Sequence, residues 1–309
     1  MNAILGFSIV GGIKRTRLAS TVAQRLALDG RAVVTGYDIF RTLLDIADTP
    51  KGAGLLRSPA VEPVHIKRVV RNLSATQGLG ADPDYHRNVY RVLAVGDAPA
   101  EEIFALATPF GYVSHLSAMH RWGLTVRRPD ALHLTLPAAG TIRSLIDARM
   151  RDDIGGRIGE GRFEPAVPLT FIQPPDVLRG RKIAVVTVKT LGNWMIVRGT
   201  HIRLATVGQT FLDMIDRPEL CGGMAHVRDV WTEHAETYLE EIVATVDKAD
   251  APIVKVRAGY LLDERMGITG DRRIKAWTRF AQRGSSRVLD PSKPFASTYS
   301  EKWMLSLNV

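Results

Sequence analysis

The stretch "EPVHIKRVVRNLSATQ", residues 62–77, decides the reading of the fold. Glu62 and Pro63 suit a helix start: an acid faces the positive end of the helix dipole, and proline's fixed φ fits the first turn. Ile66, Val69, Val70 and Leu73 fall at i, i+3, i+4 and i+7, one apolar stripe. At about 100° per residue, Lys67, Arg68 and Arg71 fan across the opposite face, flanked by His65 and Asn72. The helix has one face for a core and one for an anion.

Its neighbours extend the pattern. Upstream, Leu18, Val22 and Leu26 recur every four residues over 17–29. In "VVTGYDIFRTLLDIAD" (33–48), Thr35 is an N-cap, with Asp38 in the capping-box position and Phe40, Leu43 and Leu44 as the stripe. Downstream, "GLGADPD" (78–84) is dense in turn residues. "YHRNVYRVL" (85–93) then reads as a strand pair, or as a strand with a turn. Three helices and a β-element are the order of a winged helix-turn-helix, with 62–77 as recognition helix and Arg87 and Arg91 on the wing. The competing reading is a solvated basic face on an ordinary amphipathic helix.

Charge follows the same division. Residues 1–98 hold 13 Lys/Arg and 8 Asp/Glu, a net of +5; the other 211 hold 28 and 24, a net of +4. More than half of the +9 net charge thus sits in under a third of the length, which is compatible with a nucleic-acid partner. With 45% apolar and 24% charged residues, the 309-residue chain has the composition of a globular protein. A single cysteine, Cys221, excludes a disulfide scaffold and a thiolate zinc site and fits a reducing cytosol. No apolar run approaches the ~20 residues of a spanning helix. The start "MNAILGFSIVGGIKR" is apolar before it is basic, the reverse of an export signal, so a cytoplasmic location without membrane contact is expected.

Beyond "VGDAPAEE" (95–102), taken as the domain boundary, helices are expected at 101–107, 114–122, 208–216, 224–248 and 252–266. Strands are expected at 131–137, 182–190, 194–199 and 202–207. The whole reads as α+β. A winged helix-turn-helix at 1–98 precedes a larger mixed domain at 99–309 with a mainly antiparallel sheet. "RDDIGGRIGEGRFEP" (151–165) is a second linker or a long surface loop.

Tests for chemistry are mostly negative. Gly156, Gly159 and Gly161 reverse the order of a dinucleotide fingerprint. His115 and His120 are five apart, where metal ligands on one helix face need three or four. Ser114, Ser117, His115 and Asp130 form a triad only on paper, without a nucleophile elbow. Cys221 reads as a small buried residue. Asp213 and Asp216, three apart beside Arg217, read as part of a helix-end ion pair or as a metal-binding carboxylate pair. No metal or other cofactor is expected.

Four blocks in order resemble the AbiEi-type antitoxins of type IV toxin–antitoxin systems. They are "GYVSHLSAMHRWGLT" (111–125) with "ALHLTLP" (131–137); "ATVGQTFLDMIDRPELCGG" (205–223); "RAGYLLDERMG" (257–267); and "VLDPSKP" (288–294) with "KWMLSLNV" (302–309). Thr206, Leu212, Asp213, Arg217, Pro218, Gly222, Gly223 and Arg257 match the family's pattern. The resemblance spans residues 100–309 and implies a non-enzymatic protein with an N-terminal winged helix. Such a protein would repress its own operon at promoter inverted repeats. It would counter a nucleotidyltransferase-type toxin without a stable complex. Here "KGAGLLRSPAVE" (51–62) and "GLGADPD" lengthen the turns around the recognition helix, which makes the DNA-binding element divergent. Two other functions fit the residues. One is a transcription factor whose C-terminal domain senses a small ligand. The other is a metal-dependent nucleic-acid enzyme using Asp213 and Asp216.

Overall fold

The structure, a computed structural model, describes residues 9–10, 13–56, 58, 60–85, 87–155, 167–284 and 287–309. Within them the protein is mixed α/β, with antiparallel and mixed sheets. The chain divides into two units. The first comprises residues 1–111, 137–183 and 199–202; the second comprises 112–136, 184–198 and 203–309.

The first unit starts with a two-residue ribbon, β1 (Ile9–Val10) against β2 (Ile13–Lys14). Thr16 caps α1 (Arg17–Leu28), its side chain accepting the Ala19 N–H at 3.2 Å. Leu18, Val22 and Leu26 are buried, as their spacing predicts. A short strand, β3 (Val33–Thr35), leads into α2 (Gly36–Ala47). The expected capping box is formed: Thr35 Oγ1 accepts the Asp38 N–H at 3.2 Å, and Asp38 accepts the Thr35 N–H at 2.8 Å. The lengthened turn holds a further helix, α3 (Pro50–Leu56), before α4 (Pro63–Ala75). β4 (Leu79–Ala81) and β5 (Val89–Val92) follow, then α5 (Ala100–Ala107). The three longer strands form an antiparallel sheet in the order β3-β5-β4. The turn-like "GLGADPD" therefore supplies a strand, because Leu79, Gly80 and Ala81 pair with Val92, Arg91 and Tyr90.

The chain next enters the second unit with β6 (Tyr112–Val113), α6 (His115–Arg121) and most of β7 (Leu132–Pro137). It returns to the first with α7 (Ala139–Ile154), whose Met150 and Ile154 fill the core made by α1, α2 and α4. The Tyr37 hydroxyl on α2 donates to Asp153 on α7 at 3.2 Å, and Arg41 pairs with the same carboxylate at 3.5 Å. The first unit thus reaches past residue 98 and includes α7, a helix that the sequence reading does not predict. The glycine motif at 156–161 lies outside the described residues. A hairpin follows, β8 (Val177–Leu178) and β9 (Arg181–Val188). Its two turn residues, Arg179 and Gly180, have φ of +50° and +75°, the tight turn that matches strand twist.

The second unit carries the remaining strands, β10 (Trp194–Ile196) and β11 (Arg203–Ala205), in the order β10-β11-β6-β7 with the later part of β9 beside β7. The β11–β6 pairing is parallel; β10–β11 and β6–β7 are antiparallel. α8 (Val207–Asp216), α9 (Met224–His234), α10 (Leu239–Asp247), α11 (Pro252–Gly259) and α12 (Arg272–Trp277) enclose a core around the fully buried Trp231, Trp277 and Trp303. The expected helix over 224–248 is two helices. The one expected over 252–266 continues past Gly259 as a π-helical segment, Tyr260–Arg265. A last hairpin joins β12 (Tyr299–Ser300) to β13 (Leu305–Ser306).

Candidate nucleic-acid interface

On α4 the apolar stripe turns inward: Ile66, Val69 and Leu73 are buried. Lys67, Arg68 and Arg71 are exposed on the outer face. Among the described residues none of the three has a carboxylate within ion-pairing distance. The same face carries Val64, which is 47% exposed, and the small exposed Ser74 and Ala75. Val64 lies three residues before Lys67, on the first turn of the helix. Its apolar side chain had counted towards neither stripe, and only its exposure in the fold singles it out.

Two flanking residues have structural partners. His65 is buried, and its Nδ1 accepts the Glu62 N–H at 3.0 Å, closing the helix start. Asn72 is half-buried. Its Oδ1 accepts the Thr16 N–H at 3.1 Å, and its Nδ2 donates to the Lys14 carbonyl at 3.3 Å. Both ends of the amide are engaged with the chain before α1. Arg15 reinforces the join, donating to the Thr76 hydroxyl at 3.1 Å and the Thr76 carbonyl at 2.7 Å.

Arg87 is exposed on the loop between β4 and β5. That loop is braced from below. Asp82 has a fully covered side chain and accepts the N–H groups of Asp84 and Tyr85 at 3.0 and 3.1 Å. Arg179, at the tip of the β8–β9 hairpin, binds Asp82 at 2.6 Å, Asp97 at 3.0 Å and the Asp84 carboxylate. Three acids close to the loop thereby share one guanidinium. Arg91, the other cation expected on a wing, faces Asp97 at 3.8 Å.

The matched residues of the second unit are largely internal. Arg257 is buried and donates to the carbonyls of Val288 at 3.0 Å and Ile215 at 2.9 Å. Asp213 is buried on α8; its Oδ1 accepts from Gln209 Nε2 at 2.7 Å. Burial pushes its carboxyl from the ordinary 3.8 up to about 7, with Asp216 adding to the rise. Asp216 and Arg217 are exposed, and among the described residues no carboxylate lies within ion-pairing distance of Arg217, so the expected helix-end ion pair is not seen there. Gly222 and Gly223 both have φ of +88° and turn the chain between a 3-10 turn and α9. Cys221 is buried, and burial pushes its thiol pKa up.

Beside Asp213 lies a polar cluster. Thr135 donates to Ser114 Oγ at 2.9 Å, and Ser114 Oγ lies 2.8 Å from His115 Nδ1. Ser117 meets His133 Nδ1 at 3.3 Å. Ser114 is fully buried and His115 is 3% exposed; burial holds the imidazole neutral, its pKa down at about 3. Asp130 and His120 are exposed and take no part. The paper triad thus reduces to a Ser–His contact closed to solvent.

No protein-family model matches the chain, and no curated protein matches it. Among solved structures it is similar to the RV2827C protein of Mycobacterium tuberculosis, at 17% identity and a TM-score of 0.44, over 97% of this chain and 94% of that one.

Proposed function

We propose that the protein is a DNA-binding autorepressor that also acts as an antitoxin. The observation that carries the first half is the exposed, unpaired cationic face of α4. It sits in the element order α1-β3-α2-α4-β4-β5, with strands in the order β3-β5-β4. This order supports the reading of a winged helix-turn-helix with one inserted helix, α3. In this reading α4 enters the major groove. Its first turn meets base edges, where Val64 would contact a thymine methyl group. Lys67, Arg68, Arg71 and, on the wing, Arg87 neutralise phosphates. His65 and Asn72 support the helix from behind and read no base. The operator is an inverted repeat.

The second half rests on the resemblance to AbiEi-type antitoxins, and two contacts make physical sense of the matched blocks. Arg257 of "RAGYLLDERMG" bonds the Val288 carbonyl of "VLDPSKP". A Cβ on Gly259 would lie 2.1 Å from the Trp303 ring of "KWMLSLNV", so that position admits only glycine. The matched residues hold one unit together. The proposed target is a nucleotidyltransferase-type toxin, opposed without a stable complex. No catalytic role is assigned to the chain: Ser114 and His115 are sealed from substrate, and Asp213 and Asp216 differ in exposure.

The test is binding to the chain's own upstream DNA across a salt series. The parent protein should bind selectively. The Lys67→Ala/Arg68→Ala/Arg71→Ala variant should lose about 3 units of log–log salt slope, close to one per phosphate. Selective binding with an unchanged slope in the variant would sink this assignment of the interface.

A further inference from the structure

The last hairpin of the second unit borders a cavity of about 570 Å³, within the range of small-molecule sites. Phe295, Tyr299 and Met304 line it, together with Arg283 and Glu301. Its apolar walls are not spare core: Phe295 is 55% exposed, Tyr299 48% and Met304 37%. Large apolar groups standing in water around one concavity mark a binding surface.

The walls are held in place. Trp303, next to Met304, is fully buried; its N–H donates to Ser300 Oγ at 3.0 Å and its indole Nε1 to Asp263 at 3.0 Å. With Trp303 anchored, Met304 closes the turn at φ of +46°, a left-handed conformation uncommon for a residue with a Cβ. Such a conformation persists where its surroundings over-determine it. Ser306, also in the lining, ties the residue after Phe295, its Oγ accepting the Ala296 N–H at 2.8 Å and donating to the Ala296 carbonyl at 2.9 Å. The polar groups are asymmetric. Glu301 accepts from the Tyr299 hydroxyl at 3.3 Å. Arg283 is exposed, and among the described residues no carboxylate lies within ion-pairing distance of it.

We propose that this cavity binds a small planar aromatic anion. The ring lies against Phe295, Tyr299 and Met304, where aromatic and thioether contacts favour a flat π-system. The anionic group pairs with the Arg283 guanidinium, whose fork suits a carboxylate or a phosphate. A mononucleotide and an aromatic carboxylate share this chemistry. The site does not depend on the DNA-binding reading.

The experiment titrates the full chain with AMP and with indole-3-acetate, followed by calorimetry and by the Met304 methyl resonance. Their uncharged counterparts, adenosine and indole-3-acetamide, serve as controls. At least one anion should bind with a Kd below about 1 mM and shift the Met304 methyl. Its neutral counterpart should bind about tenfold more weakly. Arg283→Ala, at an exposed position, should reduce the anion's affinity to that of the neutral ring. Phe295→Ala should weaken both. The variant lacking Lys67, Arg68 and Arg71 should bind like the parent, which separates this site from the basic helix. Binding of AMP alone identifies a nucleotide site, and of indole-3-acetate alone a carboxylate site. Failure of both anions to move the Met304 methyl, or full affinity in Arg283→Ala, would overturn the proposal.

Discussion

His115 and Asp213 belong to one buried polar cluster and titrate in opposite senses. Burial lowers the imidazole from 6.5 to about 3, so between those values the folded chain binds fewer protons than the unfolded one. From this group, stability rises with pH across that window. Burial raises the Asp213 carboxyl from 3.8 to about 7, so there the folded chain binds more protons and stability falls as pH rises. From about pH 4 to about 6.5 the two slopes offset each other. Removing one should expose the other, with a slope of at most about 1.4 kcal/mol per pH unit. Asp213→Asn keeps the amide partner for Gln209 and should make stability climb with pH over this range. His115→Asn suits the φ of +49° and should make it decline towards pH 7. Urea unfolding at several pH values reads both; slopes parallel to the parent's in both variants would refute the assignment. At this scale the sequence is least legible. It sets Asn72 beside the basic face of the recognition helix, but the fold spends both ends of that amide on the backbone of residues 14 and 16. It passed over Val64, whose meaning comes from an exposure that no periodicity encodes.

Elements are legible where a local signal suffices. Thr35 with Asp38 and Glu62 with Pro63 fix two helix starts, and four-residue spacing fixes the buried faces of α1 and α4. Elements made by partners are not. β3 and β4 have three residues each, and β4 contains Gly80; only pairing with β5 makes them strands. The break between α9 and α10 is silent for another reason. Trp231 and Ile242 are eleven residues apart, close to three full turns, so the apolar stripe keeps its phase across a gap that no glycine or proline marks. The brace on the β4–β5 loop comes from a hairpin tip 95 residues or more from the acids it binds there, and nothing local announces it. It makes a sharp prediction. Arg179→Ala leaves Asp82 covered and without its cation, a change that costs roughly 3 kcal/mol or more for a buried pair. Amides of residues 82–88 should then lose protection from hydrogen exchange more than those of α1 or α2. Equal loss throughout the unit would show that Arg179 serves global stability rather than the loop.

For the whole molecule, the two proposed activities rest on separate observations, the +5 net charge on residues 1–98 and the block resemblance over residues 100–309, and Arg257 and Gly259 make their contacts within the second unit. The mixed α/β class was readable from alternating periodicities, whereas the interleaved division was not, because α7 joins the first core through Met150 and Ile154 after a long detour in sequence. The two proposed activities should therefore separate genetically. The Lys67→Ala/Arg68→Ala/Arg71→Ala change alters only exposed side chains, so it should weaken operator binding enough to lose repression and leave folding intact. Co-expressed with a toxin of the proposed nucleotidyltransferase type from a foreign promoter, this variant should still restore growth. Gly259→Ala should do the reverse: the Cβ forces Trp303 from its site, the second unit loses stability, and protection fails while residues 17–92 keep their helical capping and DNA-binding face. Growth rescue and promoter repression, scored in the same strains, read the two independently. Loss of both activities in the triple variant would mean that protection needs the basic face of α4 itself, and that the two activities share one surface.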